Sequence, residues 1–238
     1  MNIAIVTAHP DDAEFLMGGT IIKYSQKGHE VINIICTNGN VGHPTMSRNE
    51  ITETRHKEAI EGAKAMGSKV IFLGYDDEFL SDCKESRLMV LNALRSIKPS
   101  VVFTMHPKDY TNADHRVVSN ITIDMSYLQS VKNIETEEKE TEGYAALYYM
   151  DIPGGVEFEP TDYVDITDVF KLKVKALKKH ESQKVMMAKI GKTRNFIENM
   201  AIMSAFRGLQ NQCKFAEAFI AINKYPRAFN KNLLPQYL

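Results

Sequence analysis

Residues 2–15 read NIAIVTAHPDDAEF: an apolar run, then one histidine, one proline and three acids. The run is short and rich in β-branched residues, which marks a buried strand. Adjacent carboxylates at the end of such a strand repel each other and lose hydration. A chain that places them there needs something positive between them.

The pattern continues on both sides of that question. Residues 11–28, DDAEFLMGGTIIKYSQKG, have helical spacing and close on Gly28, a suitable C-terminal cap. EVINIICTNG (30–39) reads as a strand, RNEITETRHKEAIEGAKAMG (48–67) as an amphipathic helix stopped by Gly67, and KVIFLGY (69–75) as a strand. A helix over 86–99, a strand over 100–105 and a helix over 113–129 follow. Strand and helix therefore alternate through residue 130, which implies a mostly parallel central sheet with helices on both faces, a three-layer α/β sandwich. The charge-dense NIETEEKETEG (133–143) reads as a solvated loop. AALYYMD (145–151) and DYVDIT (162–167) look like further strands, and DVFKLKVKALKKHESQ (168–183) like one helix. The last stretch reads as mixed helix and coil. The expectation is one domain over 1–238, with a core at 1–130 and C-terminal strands and helices over 144–238 that complete the site.

Bulk properties narrow the function classes. A formal net charge of −1 gives no global attraction to nucleic acid or to an anionic membrane. No apolar run is long enough to span a bilayer, and no basic segment followed by an apolar one precedes the first strand. Cys36, Cys83 and Cys213 are isolated, which argues against a disulfide framework or a thiolate metal site and fits a reducing cytoplasm. Apolar runs between Met200 and Leu238, such as FAEAFIAI, either cover a homo-oligomer interface or pack within the chain.

In open parallel sheets, ligands bind beyond the carboxyl ends of the strands, where strand order reverses. The first and fourth strands are the expected neighbours there, and the two unusual motifs follow those strands. AHPDD (8–12) follows the first and HPKDYTNADH (106–115) follows the fourth. His9, Asp11 and Asp12 are thus expected across a crevice from His106, Asp109, Asn112, Asp114 and His115. Neither a Gly-x-Gly-x-x-Gly turn after the first strand nor a Walker A sequence is present, which removes the main signals for dinucleotide and P-loop nucleotide binding. Two histidines, a carboxylate and an open position suit a catalytic zinc, and the neighbouring acid suits a base. The same donors also suit non-haem iron, so Fe2+ or another divalent ion stays open beside Zn2+. Structural readings compete at each position: strand-end packing for a histidine, helix capping for Asp-Asp, and a helical ion pair for Arg55. His29, His43 and His56 read as surface or structural residues.

AHPDDAEFLMGGT (8–20) resembles the signature of the LmbE-like, or PIG-L, family of zinc-dependent N-deacetylases. CTNGNVG, ETRHKEAIEGAKAMG, VIFLGYDDEFL, HPKDYTNADHR, KALKKHESQ and KFAEAF are similar to family segments in the family's order. The resemblance implies a Rossmann-like fold and hydrolysis of an N-acyl group, usually acetyl on an amino sugar. It implies His9, Asp12 and His115 as metal ligands and Asp11 as general base. Arg55 and Asp77 would face the substrate, and His180 would approach the site. Many family members carry a histidine where this chain has Asn112. That departure leaves His106, His180 or Asp11 itself to handle the leaving-group proton, with Asn112 as a hydrogen-bond donor to substrate. It also motivates an alternative: a weakly catalytic amino-sugar-binding or regulatory module on the same fold.

Overall fold

In the computed structural model of the chain, residues 1–189, 195–225, 227, 229 and 232–238 are described. The first half alternates strand and helix: β1 (Asn2–Thr7), α1 (Asp12–Gln26), β2 (Glu30–Thr37), α2 (Arg48–Met66), β3 (Lys69–Tyr75), α3 (Lys84–Ile97), β4 (Val101–Thr104) and α4 (Ala113–Leu128). Then come β5 (Ala146–Met150), β6 (Asp162–Asp165), α5 (Phe170–Leu177), α6 (Glu181–Lys189), α7 (Phe196–Gln210) and β7 (Ala216–Ala221). All seven strands join one sheet in the order β3-β2-β1-β4-β5-β7-β6. The five strands from β3 to β5 are parallel; β7 runs antiparallel to both β5 and β6.

Central parallel strands are covered on both faces, so they read as continuous apolar runs. Ile3, Ala4, Ile5, Val6, Val101, Val102 and Phe103 are fully buried. Right-handed crossovers put α1 and α2 on one face and α3 and α4 on the other. α5 joins the first layer, against α1 and α2, while α3 packs on α4. The alternation therefore yields the expected three layers. β1 pairs directly with β4, Val6 opposite Thr104, so the segments that follow these strands meet at one end of the sheet.

Local sequence explains the helix ends. Ser47 and Glu50 form a reciprocal capping box at the start of α2, and Gly67 closes it at φ 76. In α1 the cap residue is Lys27, with Gly28 following at φ 78. The expected single helix over 168–183 is instead two, α5 and α6. The chain turns at Lys178–His180, and the turn carries the His180 ring into the interior. The apolar run FAEAFIAI is β7, whose Ala216, Ala218 and Phe219 are buried between β5 and β6. That run packs within the chain. None of the described helices is long and apolar enough to cross a membrane.

Glu217 on β7 ties the C-terminal strand to α1. Its carboxylate accepts from Gly19 N at 2.8 Å, from Thr20 N at 2.7 Å and from Thr20 Oγ1 at 2.6 Å, and it pairs with Lys173 Nζ at 2.6 Å. Both charged side chains are buried. Removing one partner strands the other charge without water. The Glu217→Ala protein is therefore expected to lose about 3–5 kcal/mol of stability in denaturant unfolding; an unchanged midpoint would contradict this account of the C-terminal anchor.

Candidate active site

The site lies at the carboxyl ends of β1 and β4. His9 follows β1, and Asp12 opens α1. The backbone must turn sharply between them, and Asp11 takes a left-handed φ of 114° there. The His9 amide donates to Asp12 Oδ2 at 2.7 Å, which closes this turn. His115 comes from the first turn of α4. Asn112 caps that helix: its Oδ1 accepts from Asp114 N at 2.7 Å and from His115 N at 3.4 Å. Asn112, the departure from the resembled pattern, is thus a helix cap in this chain.

The three donors converge. His9 Nδ1 lies 3.2 Å from His115 Nε2, His115 Nε2 lies 3.3 Å from Asp12 Oδ1, and His9 Nδ1 lies 3.6 Å from Asp12 Oδ2. All three residues are at most 9% exposed. Ligands ~2.0–2.1 Å from a tetrahedral zinc stand about 3.3 Å apart, close to each of these separations, of which the two to Asp12 run to different carboxylate oxygens. The donor chemistry fits as well: two imidazole nitrogens and a carboxylate. A second group, His9 with Asp77 and Glu78, shares His9 and adds two carboxylates.

The outer residues fix the three candidate ligands. His115 Nδ1 lies 2.8 Å from Asp109 Oδ2, which orients the ring and leaves Nε2 for the cluster. Asp109 in turn accepts from Thr111 N and Thr111 Oγ1. His9 Nε2 lies 2.9 Å from Asp77 Oδ1, without hydrogen-bond alignment, and 3.5 Å from Asp114 Oδ2. Asp114 also accepts from Glu78 N at 2.7 Å and Leu80 N at 3.3 Å, so it holds the loop after β3 against α4. Arg55 of α2 donates to Pro10 O at 2.7 Å, Asp11 Oδ1 at 3.2 Å and Gly39 O at 3.3 Å. Gly39 is obligatory beside it, because a Cβ there would fall 2.5 Å from the guanidinium.

Crowded carboxylates shape the electrostatics. Burial disfavours charge on His9 and His115, but the surrounding aspartates prevail and raise both, His115 to about 9. Burial likewise opposes charge on Asp12, while His115 and His9 hold it well below the usual carboxylate range. Asp11 behaves differently: burial pushes it up to about 6, against the pull of Arg55.

His9, Asp11, Asp12, Arg55, Asp77, Asn112 and His115 all line one cleft of about 870 Å³. His106 and His180 are absent from its lining. His106 packs edge-on against Tyr149 and Phe158, at ring distances of 5.2 and 5.4 Å. His180 is 1% exposed, with Nε2 3.4 Å from Glu14 Oε1. His180 nonetheless lies close enough to Asp11 and Arg55 to feel their charges from behind the cleft wall. Glu78 and Thr111 do line it, and sequence reasoning passed over both.

The family model for GlcNAc-PI de-N-acetylase, PIG-L, matches residues 4–126. The chain belongs to the PIG-L family. It is 27% identical over 193 residues to the diacetylchitobiose deacetylase of Thermococcus kodakarensis, covering 76% of this chain and 70% of that one. Its fold superposes on the N,N'-diacetylchitobiose deacetylase of Pyrococcus horikoshii with a TM-score of 0.81 at 26% identity, covering 93% of this chain and 83% of that chain. A Pseudomonas putida hydratase, GalB, shares the fold with a TM-score of 0.82 at 20% identity, covering 97% and 99% of the two chains. The PIG-L fold therefore does not choose the reaction, and the site must do so.

Asp109 touches the cluster only through His115. Its replacement by alanine is expected to weaken zinc binding ~10–100-fold, measured by competition against a calibrated chelator. An unchanged affinity would show that the His115 ring is oriented without it.

Proposed function

We infer that the chain is a zinc-dependent N-deacetylase, a hydrolase that removes an N-acyl group from an amino sugar. One observation carries this reading: His9, Asp12 and His115 present a zinc-sized donor cluster with a second carboxylate, Asp11, beside it in one cleft. The archaeal relatives, both diacetylchitobiose deacetylases, support the substrate class.

A zinc ion held by His9, Asp12 and His115 would supply Lewis acidity and a bound water with a pKa of roughly 7. The chain's own residues supply the rest. Asp11 is the general base: it faces the cleft, and Arg55 fixes its carboxylate in place. Burial raises its affinity for a proton, while Arg55 opposes full protonation, which suits it to take a proton from the attacking water. Asp11, which lines the cleft where His106 and His180 do not, returns that proton to the departing nitrogen, with buried His180 adding positive charge nearby. Water's oxygen bonds to the carbonyl carbon, the C–N bond breaks, and the products are a carboxylate and a free amine. Asp77, Glu78 and Asn112 line the same cleft and offer hydrogen bonds to sugar hydroxyls. Arg55, expected to face substrate, serves chiefly to position Asp11, since Pro10 O, Gly39 O and Asp11 take its hydrogen bonds.

The test is amine release from N-acetylglucosamine and diacetylchitobiose by zinc-loaded protein. Chelation should abolish it and added zinc should restore it. Asp11→Asn should bind zinc and lose at least ~100-fold in kcat. Turnover of this variant at the parent rate would sink the assignment of the base.

A further inference from the structure

The cleft has two unlike walls. Asp77, Glu78, Thr111 and Asn112, from the segments after β3 and β4, make one wall polar. α6 and α7 make the other apolar, through Met186, Met187, Phe196, Ile202, Met203 and Phe206, with Gln183 and Asn199 as polar exceptions. The apolar wall reaches the reacting centre. Phe15 lines the cleft one helical turn beyond Asp11, with Phe15 N bonded to Asp11 O at 2.9 Å, and it stacks on Phe196 at a ring distance of 5.1 Å. The wall is anchored where it stands: Ser182 at the start of α6 bonds Glu58 of α2 through both its amide and its hydroxyl. Ile202 and Phe206 are nonetheless 50% and 47% exposed, on the cleft side of a helix that buries Met200 and Phe196.

Resting on the deacetylase reading above, we propose that the acyl group removed by this chain is an apolar chain longer than acetyl, seated along α6 and α7. The two substituents of an amide carbonyl diverge from its carbon. Sugar hydroxyls need hydrogen-bond partners, which the polar wall supplies, and this directs the acyl group to the opposite wall. An apolar group on the far end of the sugar would point away from Phe15. A volume of about 870 Å³ also sits near the top of the ~300–1,000 Å³ range of sites for drug-sized ligands, which leaves room for a chain beside the sugar. The reaction is ordinary hydrolysis: water adds to the carbonyl, the C–N bond breaks, and a fatty carboxylate and glucosamine leave.

The experiment compares N-acetyl-, N-butanoyl- and N-octanoylglucosamine with octyl N-acetylglucosaminide. Turnover is read by amine release, and binding to Asp11→Asn is read by calorimetry. Expected is a rise of about 2–4-fold in kcat/KM and in affinity per added acyl methylene. Ile202→Asp and Phe206→Ser should flatten that series more than they slow the acetyl substrate. A flat series with intact acetyl turnover would overturn the proposal and leave the deacetylase reading standing. Preference for the octyl glycoside would also overturn it, by giving the wall to the far end of the sugar. A parent protein that sediments as an oligomer, with a monomeric Ile202→Asp variant and a flat series, would overturn it in favour of a second copy on this face. Absent turnover with chain-length-dependent binding would sustain the subsite and refute the hydrolytic reading.

Discussion

Everything at this site depends on the pairing of β1 with β4. The register that sets Val6 opposite Thr104 brings AHPDD and HPKDYTNADH to the same end of the sheet, although about a hundred residues separate them. The pairing is set by apolar burial, since both strands are covered on both faces. Rigid strands deliver the motifs, and short turns then aim individual side chains. His9 ends the β1 segment, Asp12 starts α1, and His115 sits in the first turn of α4, so every cluster residue lies within a few residues of a packed element.

The second constraint is charge. Asp11, Asp12, Asp77, Asp109 and Asp114 are all buried around two imidazoles and one guanidinium. The turn that presents Asp11 and Asp12 is strained at Asp11, and such strain clusters at functional sites. Without a cation, the arrangement relies on protonated histidines. A divalent ion held by His9, Asp12 and His115 would replace those protons and offset the carboxylates. Arg55 remains as the fixed positive charge that separates Asp11 from Asp12 in role: one acid points to the guanidinium, its neighbour to the imidazoles.

Much of this was legible in the sequence, for definite reasons. Parallel strands buried on both sides leave uninterrupted apolar runs, so β1, β2 and β4 could be read directly, and Gly67 marked a helix end because its φ is positive. The crevice followed from the strand order that such alternation favours. The histidines were harder. HPKDYTNADH contains two, and only tertiary packing separates His115, oriented by Asp109, from His106, which is taken up by Tyr149 and Phe158. His180, which the resemblance brings toward the site, is buried beside Glu14 because α5 ends at Leu177 and the chain turns inward. β7 was missed since an antiparallel strand inserted late between β5 and β6 carries no alternation with helices to announce it. The left-handed turn at Glu78, which puts its carboxylate in the cleft, has no local signature either.

The central claim is that His9, Asp12 and His115 hold a single divalent ion. Anomalous diffraction at the zinc edge, from crystals of the zinc-loaded protein, tests it most directly. The account predicts one strong peak ~2.0–2.2 Å from His9 Nδ1, His115 Nε2 and an Asp12 oxygen. A peak held elsewhere, or none at that triangle, would contradict it.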